Sequence, residues 1–221
     1  MLPMINAAVF DVDGTVATCP YDFDAMRAAV AEIAACWQVD AAALGIRGVI
    51  ERIDAIGERL GEHGADFRQQ AEAAVTAIEV AAAEGASIFP GAADALSTLR
   101  SRGVAIALIT RNSRTAADIV LAGLEGYDVL LTRNDVPLAK PHPDHVLRAL
   151  AAVRCPPEMA VMVGDHDFDM QAGRAACVHV CVGLRSGTST DERLVAAGAD
   201  AILDSIADLP AWLAAQGEIP S

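Results

Sequence analysis

The sequence predicts an α/β fold, in which helices cover both faces of a doubly wound, parallel β-sheet. Short, nearly unbroken apolar runs recur along the chain, as expected for strands that are buried on both faces. Helical patterns with short joints separate these runs, and this alternation is typical of strand–helix–strand units with right-handed crossovers. One long segment near the N-terminus contains helical patterns only, which indicates a helical insert.

Six apolar runs are predicted as strands of the core sheet. They show little alternation between apolar and polar residues, which suits strands in a parallel sheet that helices cover on both sides. The predicted strands are 5–10, 104–110, 127–131, 159–164, 178–182 and 200–203.

The core helices are predicted from the signals at their ends. Gly103 and Gly123 follow two helical patterns in the position that glycine favours after a helix C-terminus. Ser113 is placed to cap the second of these helices. In a later helix, Pro143 lies in the first turn and Asp144 lies near the N-terminus, where an acid is favourable. The predicted core helices are 93–103, 113–123, 143–153, 167–176 and 192–198.

The helical insert is predicted directly after the first strand. It contains no convincing strand, and glycines interrupt its middle part, so the helices there are expected to be bent or short. Its predicted helical stretches are 24–37, 41–61 and 65–84. The predicted domains are an α/β core formed by 1–16 and 88–221, and a helical domain formed by 17–87.

Composition excludes several classes of function. A formal net charge of −14 argues against binding to duplex nucleic acid and against docking on an anionic membrane. No apolar run approaches the ~18 residues of a membrane span, and the N-terminus lacks the basic region of a signal peptide. Five scattered cysteines without a C-x-x-C motif favour free thiols in a reducing compartment. We therefore expect a cytoplasmic protein.

The stretch FDVDGT places Asp11 and Asp13 at the end of the first predicted strand. Side chains two residues apart in an extended chain point to the same side. Two carboxylates about 4 Å apart repel by roughly 4 kcal/mol at an effective dielectric constant near 20. A cation or a shared proton would offset this repulsion, so the pair predicts a metal site, a catalytic dyad or both. Because Asp-Gly is also a common turn signal, the stretch alone leaves a simple turn open.

Complementary polar residues follow the other predicted strands. Ligands of open α/β sheets bind at the carboxyl ends of the strands, so these residues are expected to converge on one edge. Lys140 stands out because it is the only lysine in the chain. The residues are Thr110, Arg111 and Asn112 after the second strand, Lys140 after the third, and Asp165 and Asp169 after the fourth.

These residue types suit phosphoryl transfer. A carboxylate can attack phosphorus to form an aspartyl-phosphate, and a second acid, Asp13, could protonate the leaving oxygen and later activate water. Thr110 and Lys140 could hold phosphoryl oxygens, and Mg²⁺ prefers carboxylate and phosphate oxygens as ligands. Arg111 and Asn112 directly follow Thr110 and are further candidates for contacts with phosphate or substrate.

With these residues the sequence resembles the haloacid dehalogenase-like (HAD) superfamily. The four motifs of that superfamily are similar, in order and placement, to DVDGT at 11–15, Thr110, Lys140 in KPHPD, and GDHDFD at 164–169. The resemblance covers essentially the whole chain. It implies a Rossmann-like core with a small, all-helical cap domain inserted after strand 1, as in the phosphoglycolate-phosphatase-like branch.

The resemblance also implies a role for each matched residue. Asp11 would be the nucleophile and Asp13 the general acid and base, while Thr110 and Lys140 would bind the phosphoryl group. The implied cofactor is Mg²⁺. Its implied ligands are Asp11, the backbone carbonyl of Asp13, Asp165 and Asp169.

Within this family, the sequence favours a phosphatase. Dehalogenating relatives lack an acid at the position of Asp13, and phosphonate-cleaving relatives use a cap lysine that this chain does not have. We therefore expect a Mg²⁺-dependent phosphatase that acts on a small phosphorylated metabolite. A phosphomutase of the same family remains an alternative. So does a phosphoacceptor module of the receiver type, although such modules are shorter and have no cap. The motifs leave phosphoglycolate, sugar phosphates and nucleotide monophosphates open as substrates, and they leave the oligomeric state open.

Overall fold

The computed structural model describes residues 4–220 and confirms the predicted fold class. Six strands form one sheet in which all neighbouring strands are parallel. These strands are β1 Ala7–Asp11, β4 Ala105–Ile109, β5 Val129–Leu131, β6 Ala160–Gly164, β7 Val180–Leu184 and β8 Ala201–Leu203. A separate antiparallel pair, β2 Ala17–Thr18 and β3 Ser87–Ile88, was not predicted from the sequence.

Nine α-helices lie within residues 4–220, and the predicted core helices are found within a few residues of their predicted bounds. The Ser113 hydroxyl accepts a hydrogen bond from the Ala116 amide at 3.4 Å, so this predicted N-cap is confirmed. The helices are α1 Phe23–Cys36, α2 Val49–Arg59, α3 Gly64–Ala83, α4 Ala92–Ser101, α5 Arg114–Val120, α6 Asp144–Ala152, α7 Asp167–Ala175, α8 Asp191–Ala196 and α9 Leu209–Ala215. The last of these was not predicted.

Both faces of the sheet are covered. All residues of β1, β6 and β7 are buried, as the unbroken apolar runs indicated. On one face, alternate residues of β1, β4 and β6 pack against α6 and α7, for example Val9 and Met162 against Val146 and Met170. On β4, α4 provides further packing, and α9 packs against α4.

The strand order β5-β4-β1-β6-β7-β8 fixes where a ligand can bind. The chain moves from β1 outward through β4 to β5, and then returns to the other side of β1 with β6. The connections after β1 and β6 therefore leave the sheet in opposite directions, which opens a crevice at the carboxyl ends of these two strands.

The chain divides into two compact units. Residues up to Cys19 and from Ala86 onwards form the unit that contains the sheet, and Pro20–Gly85 form a helical unit. The helical unit has its own core, in which α1, α2 and α3 pack around Phe67. Within 41–61, the middle stretch that was predicted to be helical, only α2 is an α-helix. A short helical turn before it ends at Gly45, because Gly45 adopts a left-handed φ of 65°. None of the helices within residues 4–220 combines the length and the apolar character needed to cross a bilayer.

Candidate active site

The register of the sheet brings the polar strand ends together. Asp11 is the last residue of β1 and pairs with Ile109, the last residue of β4, so that Thr110 leaves the sheet beside it. On the other side of β1, Phe10 pairs with Val163, so that Asp165 leaves β6 close to Asp11. Strand pairing alone therefore places residues from three motifs at one crevice.

Three acids meet in this crevice around one ammonium group. Asp11, Asp165 and Asp169 are all buried, and each offers a carboxylate oxygen that lies within 4.8 Å of the other two. The buried Lys140 Nζ donates hydrogen bonds of 2.6 Å to Oδ1 of Asp11 and of 2.6 Å to Oδ1 of Asp169. The other oxygen of Asp169 accepts a hydrogen bond from the His166 amide at 3.0 Å, and this bond also caps α7. The only lysine of the chain thus joins the first motif to the fourth.

The cluster carries more negative charge than Lys140 neutralises. Burial, followed by the charges of neighbouring acids, raises the pKa of Asp11 to about 7 despite the opposing ammonium group of Lys140. Burial and the charge of Asp169 raise the pKa of Asp165 to about 6. Burial and the charge of Asp11 raise the pKa of Asp169 to about 6. Burial alone would lower the pKa of Lys140, but its ion pairs hold the pKa above its ordinary value.

This donor set fits a hard divalent cation such as Mg²⁺. All three groups that converge are carboxylates, which are the ligands that Mg²⁺ and Ca²⁺ prefer, and no histidine or thiol belongs to the cluster found among residues 4–220. A divalent cation would also relieve the repulsion that raises the carboxyl pKa values.

Glycines make room for the acidic cluster. An added Cβ at Gly187 would lie 1.6 Å from Oδ2 of Asp165, and one at Gly14 would lie 2.6 Å from the same oxygen. At Gly164 an added Cβ would lie 2.3 Å from Oδ2 of Asp169. Gly14 also has a φ of 87°, which disfavours any side chain. The Asp-Gly turn and the acidic site are therefore the same feature, and the two interpretations of FDVDGT do not compete.

The loop at 185–190, which follows β7, is a part of the site that the sequence analysis missed. Ser186 Oγ donates a hydrogen bond of 2.6 Å to the carbonyl of Gly14, and the Thr188 amide donates one of 3.3 Å to Oδ2 of Asp165. The position of the loop in the chain could have indicated it. The loop follows β7, which lies next to β6 in a parallel sheet, and ligands bind at the carboxyl ends of such strands.

Thr110 and Asn112, predicted to contact substrate, donate hydrogen bonds to Asp13 in the structure. The Thr110 hydroxyl and the Asn112 side-chain amide both lie 2.7 Å from Oδ2 of Asp13. The backbone amide of Asn112 donates to Thr110 Oγ1 at 3.1 Å. The structure therefore brings Asp13 and the segment after β4 together in one polar network.

Arg111, the remaining predicted contact, packs on an aromatic ring. Its guanidinium carbon lies 5.1 Å from the centre of the Phe168 ring, within cation–π distance. The Phe168 ring in turn contacts the His166 ring edge-on, with 4.7 Å between the ring centres. Arg111 thereby links the segment after β4 to the start of α7.

Comparisons with known sequences find a family and named relatives for this chain. The model of the haloacid dehalogenase-like hydrolase family matches residues 5–176. The phosphoglycolate phosphatase (plasmid) of Cupriavidus necator is 36% identical over 130 residues, which cover 58% of this chain and 56% of that protein. The phosphoglycolate phosphatase of Escherichia coli K12 is 33% identical over 132 residues, which cover 58% of this chain and 52% of that protein. The chain thus spans about half the length of the curated relatives it matches.

Solved structures resemble the chain over nearly its whole length. A hydrolase from Pseudomonas syringae superposes with a TM-score of 0.67 at 24% identity, covering 95% of this chain and 98% of that one. CbbY from Rhodobacter sphaeroides, solved in complex with phosphate, superposes with a TM-score of 0.64 at 28% identity, covering 93% of this chain and 96% of that one. The family match extends from the start of β1 to the end of α7 and so includes all four motifs. The chain belongs to the haloacid dehalogenase-like hydrolases.

Proposed function

We propose that this chain is a Mg²⁺-dependent phosphatase that hydrolyses a small phosphate monoester through an aspartyl-phosphate on Asp11. The observation that carries the proposal is the buried cluster of Asp11, Asp165 and Asp169. The ammonium group of Lys140 donates hydrogen bonds to two of these acids, Asp11 and Asp169. Phosphoglycolate is the first substrate to test, because two relatives named phosphoglycolate phosphatase match this chain over about half of their own length. Sugar phosphates and nucleoside monophosphates are the next.

The metal in this proposal is held by carboxylates at the crevice. The side chains of Asp11, Asp165 and Asp169 and the backbone carbonyl of Asp13 would be its protein ligands. When bound, Mg²⁺ supplies the positive charge that screens these carboxylates from the oxygens of the phosphoryl group.

The chain's own residues divide the chemistry among them. The Asp11 carboxylate attacks phosphorus, and the bond from phosphorus to the leaving oxygen breaks as Asp13 gives that oxygen a proton. Asp13 then takes a proton from water, which attacks the phosphoryl group on Asp11 and releases inorganic phosphate. Lys140 holds Asp11 through its hydrogen bond of 2.6 Å and balances part of the charge of the transferred group.

The remaining assignments are part of the same proposal. We assign the helical unit, Pro20–Gly85, as the cap domain, and a small phosphorylated metabolite as the partner. A reducing, cytoplasmic location fits the scattered spacing of the five cysteines and the lack of a C-x-x-C motif. The net charge of −14 supports the expectation that nucleic acids and anionic membranes are not partners.

The proposal is tested by the substitution Asp11→Asn. We expect turnover to fall below a few per cent of the wild-type rate, because the amide cannot attack phosphorus, while the circular dichroism spectrum stays unchanged. The measurement is the release of inorganic phosphate, with Mg²⁺, from phosphoglycolate, sugar phosphates, nucleoside monophosphates and p-nitrophenyl phosphate. Asp94→Asn, the same change at an exposed position of α4, is the matched control and should keep wild-type activity.

The same assay separates the alternatives. With p-nitrophenyl phosphate, a phosphatase releases many equivalents of nitrophenol and of inorganic phosphate per protein, whereas a receiver-type phosphoacceptor releases one equivalent of nitrophenol and keeps the phosphoryl group. With a sugar phosphate, a phosphomutase yields an isomeric sugar phosphate. Substantial activity in the Asp11→Asn protein would remove Asp11 from the nucleophilic role.

A further inference from the structure

Two hydrogen-bond donors converge on a single oxygen of Asp13. The Thr110 hydroxyl and the Asn112 side-chain amide each lie 2.7 Å from Oδ2, and both belong to the segment that follows β4. Thr110 is fully buried, and Asp13 and Asn112 are partly buried, so these bonds are shielded from competition with water.

The direction of these hydrogen bonds follows from a third bond. The backbone amide of Asn112 donates to Thr110 Oγ1 at 3.1 Å, which leaves the Thr110 hydroxyl proton to be given to Asp13. The amide group of Asn112 must present its nitrogen to Asp13, since its oxygen would be repelled by the carboxylate. Asn112 therefore acts on Asp13 twice, directly through its side chain and indirectly through Thr110.

We propose that Asn112 is a positioning residue that makes Oδ1 the proton-transferring oxygen of Asp13. An oxygen that accepts two hydrogen bonds uses both of its lone pairs, so the proton of the acid form resides on Oδ1. This inference rests on the proposed phosphatase activity and deepens it. In the first step the Oδ1–H bond breaks as the leaving oxygen gains the proton. In the second step Oδ1 takes a proton from the attacking water, which restores the acid form.

This role differs from the one that the sequence predicted for Asn112. A residue that binds the phosphoryl group would affect all phosphate esters alike, because every ester carries the same group. A residue that positions the general acid would affect an ester in proportion to the proton that its leaving group needs. Comparing two esters that differ only in the leaving group therefore distinguishes the two roles.

The test compares p-nitrophenyl phosphate with phenyl phosphate in the presence of Mg²⁺. Nitrophenolate leaves readily without a proton, whereas phenolate is the poorer leaving group and depends more on the general acid. In Asn112→Ala we expect kcat/KM for phenyl phosphate to fall at least about tenfold further than kcat/KM for p-nitrophenyl phosphate. Tenfold is a fraction of the 10²–10⁴-fold that general acid–base catalysis contributes, as expected when the general acid is still present but no longer held in position. The ratio kcat/KM is used because it reports the steps up to the phosphorylation of Asp11.

Two further variants keep the test independent of folding defects. Asn112→Ser also removes the amide donor but keeps a small polar side chain in the segment, and it should show the same bias. Asn6→Ala is the matched control, because this exposed residue precedes β1 at the opposite end of the sheet. It should leave both kcat/KM values at the wild-type level.

The losses of kcat/KM for the two esters decide whether Asn112 positions Asp13. A larger loss for phenyl phosphate in both Asn112 variants supports the positioning role. Equal losses for the two esters, or no loss, overturn it and leave the proposed function intact. If the wild-type protein releases no phosphate from either ester or from the metabolite panel, the proposed function fails and this inference fails with it.

Discussion

Gly187 shows how strongly one small residue can control the acidic site. It lies in the loop after β7, it is exposed to solvent, and yet no side chain fits there because the Asp165 carboxylate occupies the space. The neighbouring amide of Thr188 donates to the same carboxylate at 3.3 Å. A side chain at 187 would displace either the loop or the proposed metal ligand.

We therefore expect Gly187→Ala to weaken Mg²⁺ binding by at least about tenfold, which corresponds to about 1.4 kcal/mol. The fold should persist, because the loop is exposed and lies outside the apolar core. Titration calorimetry with Mg²⁺ measures the change. Thr188→Ala is the matched control, since it keeps the backbone amide that contacts Asp165 and should bind Mg²⁺ as the wild type does. Unchanged affinity in Gly187→Ala would mean that Asp165 does not hold the ion.

Among the site residues, the grouping of the charged side chains was easier to predict from the sequence than the hydrogen bonds of the neutral ones. Asp11, Lys140 and Asp165 could be grouped beforehand because charged residues at the ends of buried strands are unusual and ligands bind at those ends. The bonds of Thr110 and Asn112 to Asp13 could not be predicted, because hydroxyl and amide groups have many possible partners and the backbone geometry selects among them.

Among the helices, α6 is attached to the sheet by a buried histidine. His145 Nε2 lies 3.1 Å from the carbonyl of Leu131, the last residue of β5, and donates a hydrogen bond to it. Its Nδ1 is buried and has no hydrogen-bond partner among residues 4–220. Burial, followed by the charge of Lys140, lowers the pKa of His145 to about 4, so the ring is neutral at physiological pH. This contact holds α6 in place directly after the loop that carries Lys140.

The depressed pKa of His145 predicts a loss of stability in acid. Its contribution is fully present above pH 6.5, the ordinary pKa, and it is lost as pH falls towards about 4, because protonation would bury an N–H group without an acceptor. His145→Gln keeps a donor for Leu131 but does not titrate. Between pH 7 and pH 4, we therefore expect the free energy of unfolding of the wild type to fall by on the order of 3 kcal/mol more than that of the variant.

Urea unfolding of both proteins across this pH range measures the difference, in which all other titrating groups cancel. His142→Gln, the same change at an exposed position two residues before α6, should follow the wild-type curve. Parallel curves for the wild type and His145→Gln would show that His145 does not resist protonation.

The elements that could be predicted are those that local sequence signals mark. The six core strands and the five helices between them were predictable, because long apolar runs and end signals such as Ser113 are local features of the chain. The β2–β3 pair and α9 were not predicted. Strands of two residues are too short to show a periodic pattern, and their pairing depends on contacts with the rest of the fold.

In the molecule as a whole, the three buried acids are part of a large excess of negative charge. The chain carries a formal net charge of −14, and three of its carboxylates lie buried beside one lysine. The pKa of Asp11 is raised from 3.8 to about 7, and those of Asp165 and Asp169 are raised to about 6. The folded protein therefore holds protons between pH 4 and pH 7 that the unfolded chain releases. These groups lower the stability of the metal-free protein as pH rises through that window, and the loss is complete above about pH 7.

Mg²⁺ should reverse this loss, because it binds the ionised carboxylates of the folded state. At a concentration about 100 times its Kd, a ligand stabilises the folded protein by about 2.7 kcal/mol, which for a chain of this size raises Tm by about 5–10 °C. We expect such a gain at pH 8 and little gain at pH 5, where protons already occupy the site. Calorimetric melting curves of EDTA-treated protein, with and without Mg²⁺, measure this gain in Tm.

Because salt also screens the net charge, NaCl at the same ionic strength is the control and should raise Tm far less. An equal gain from NaCl, or a Mg²⁺ effect that is the same at both pH values, would show that the stabilisation does not come from the three buried acids.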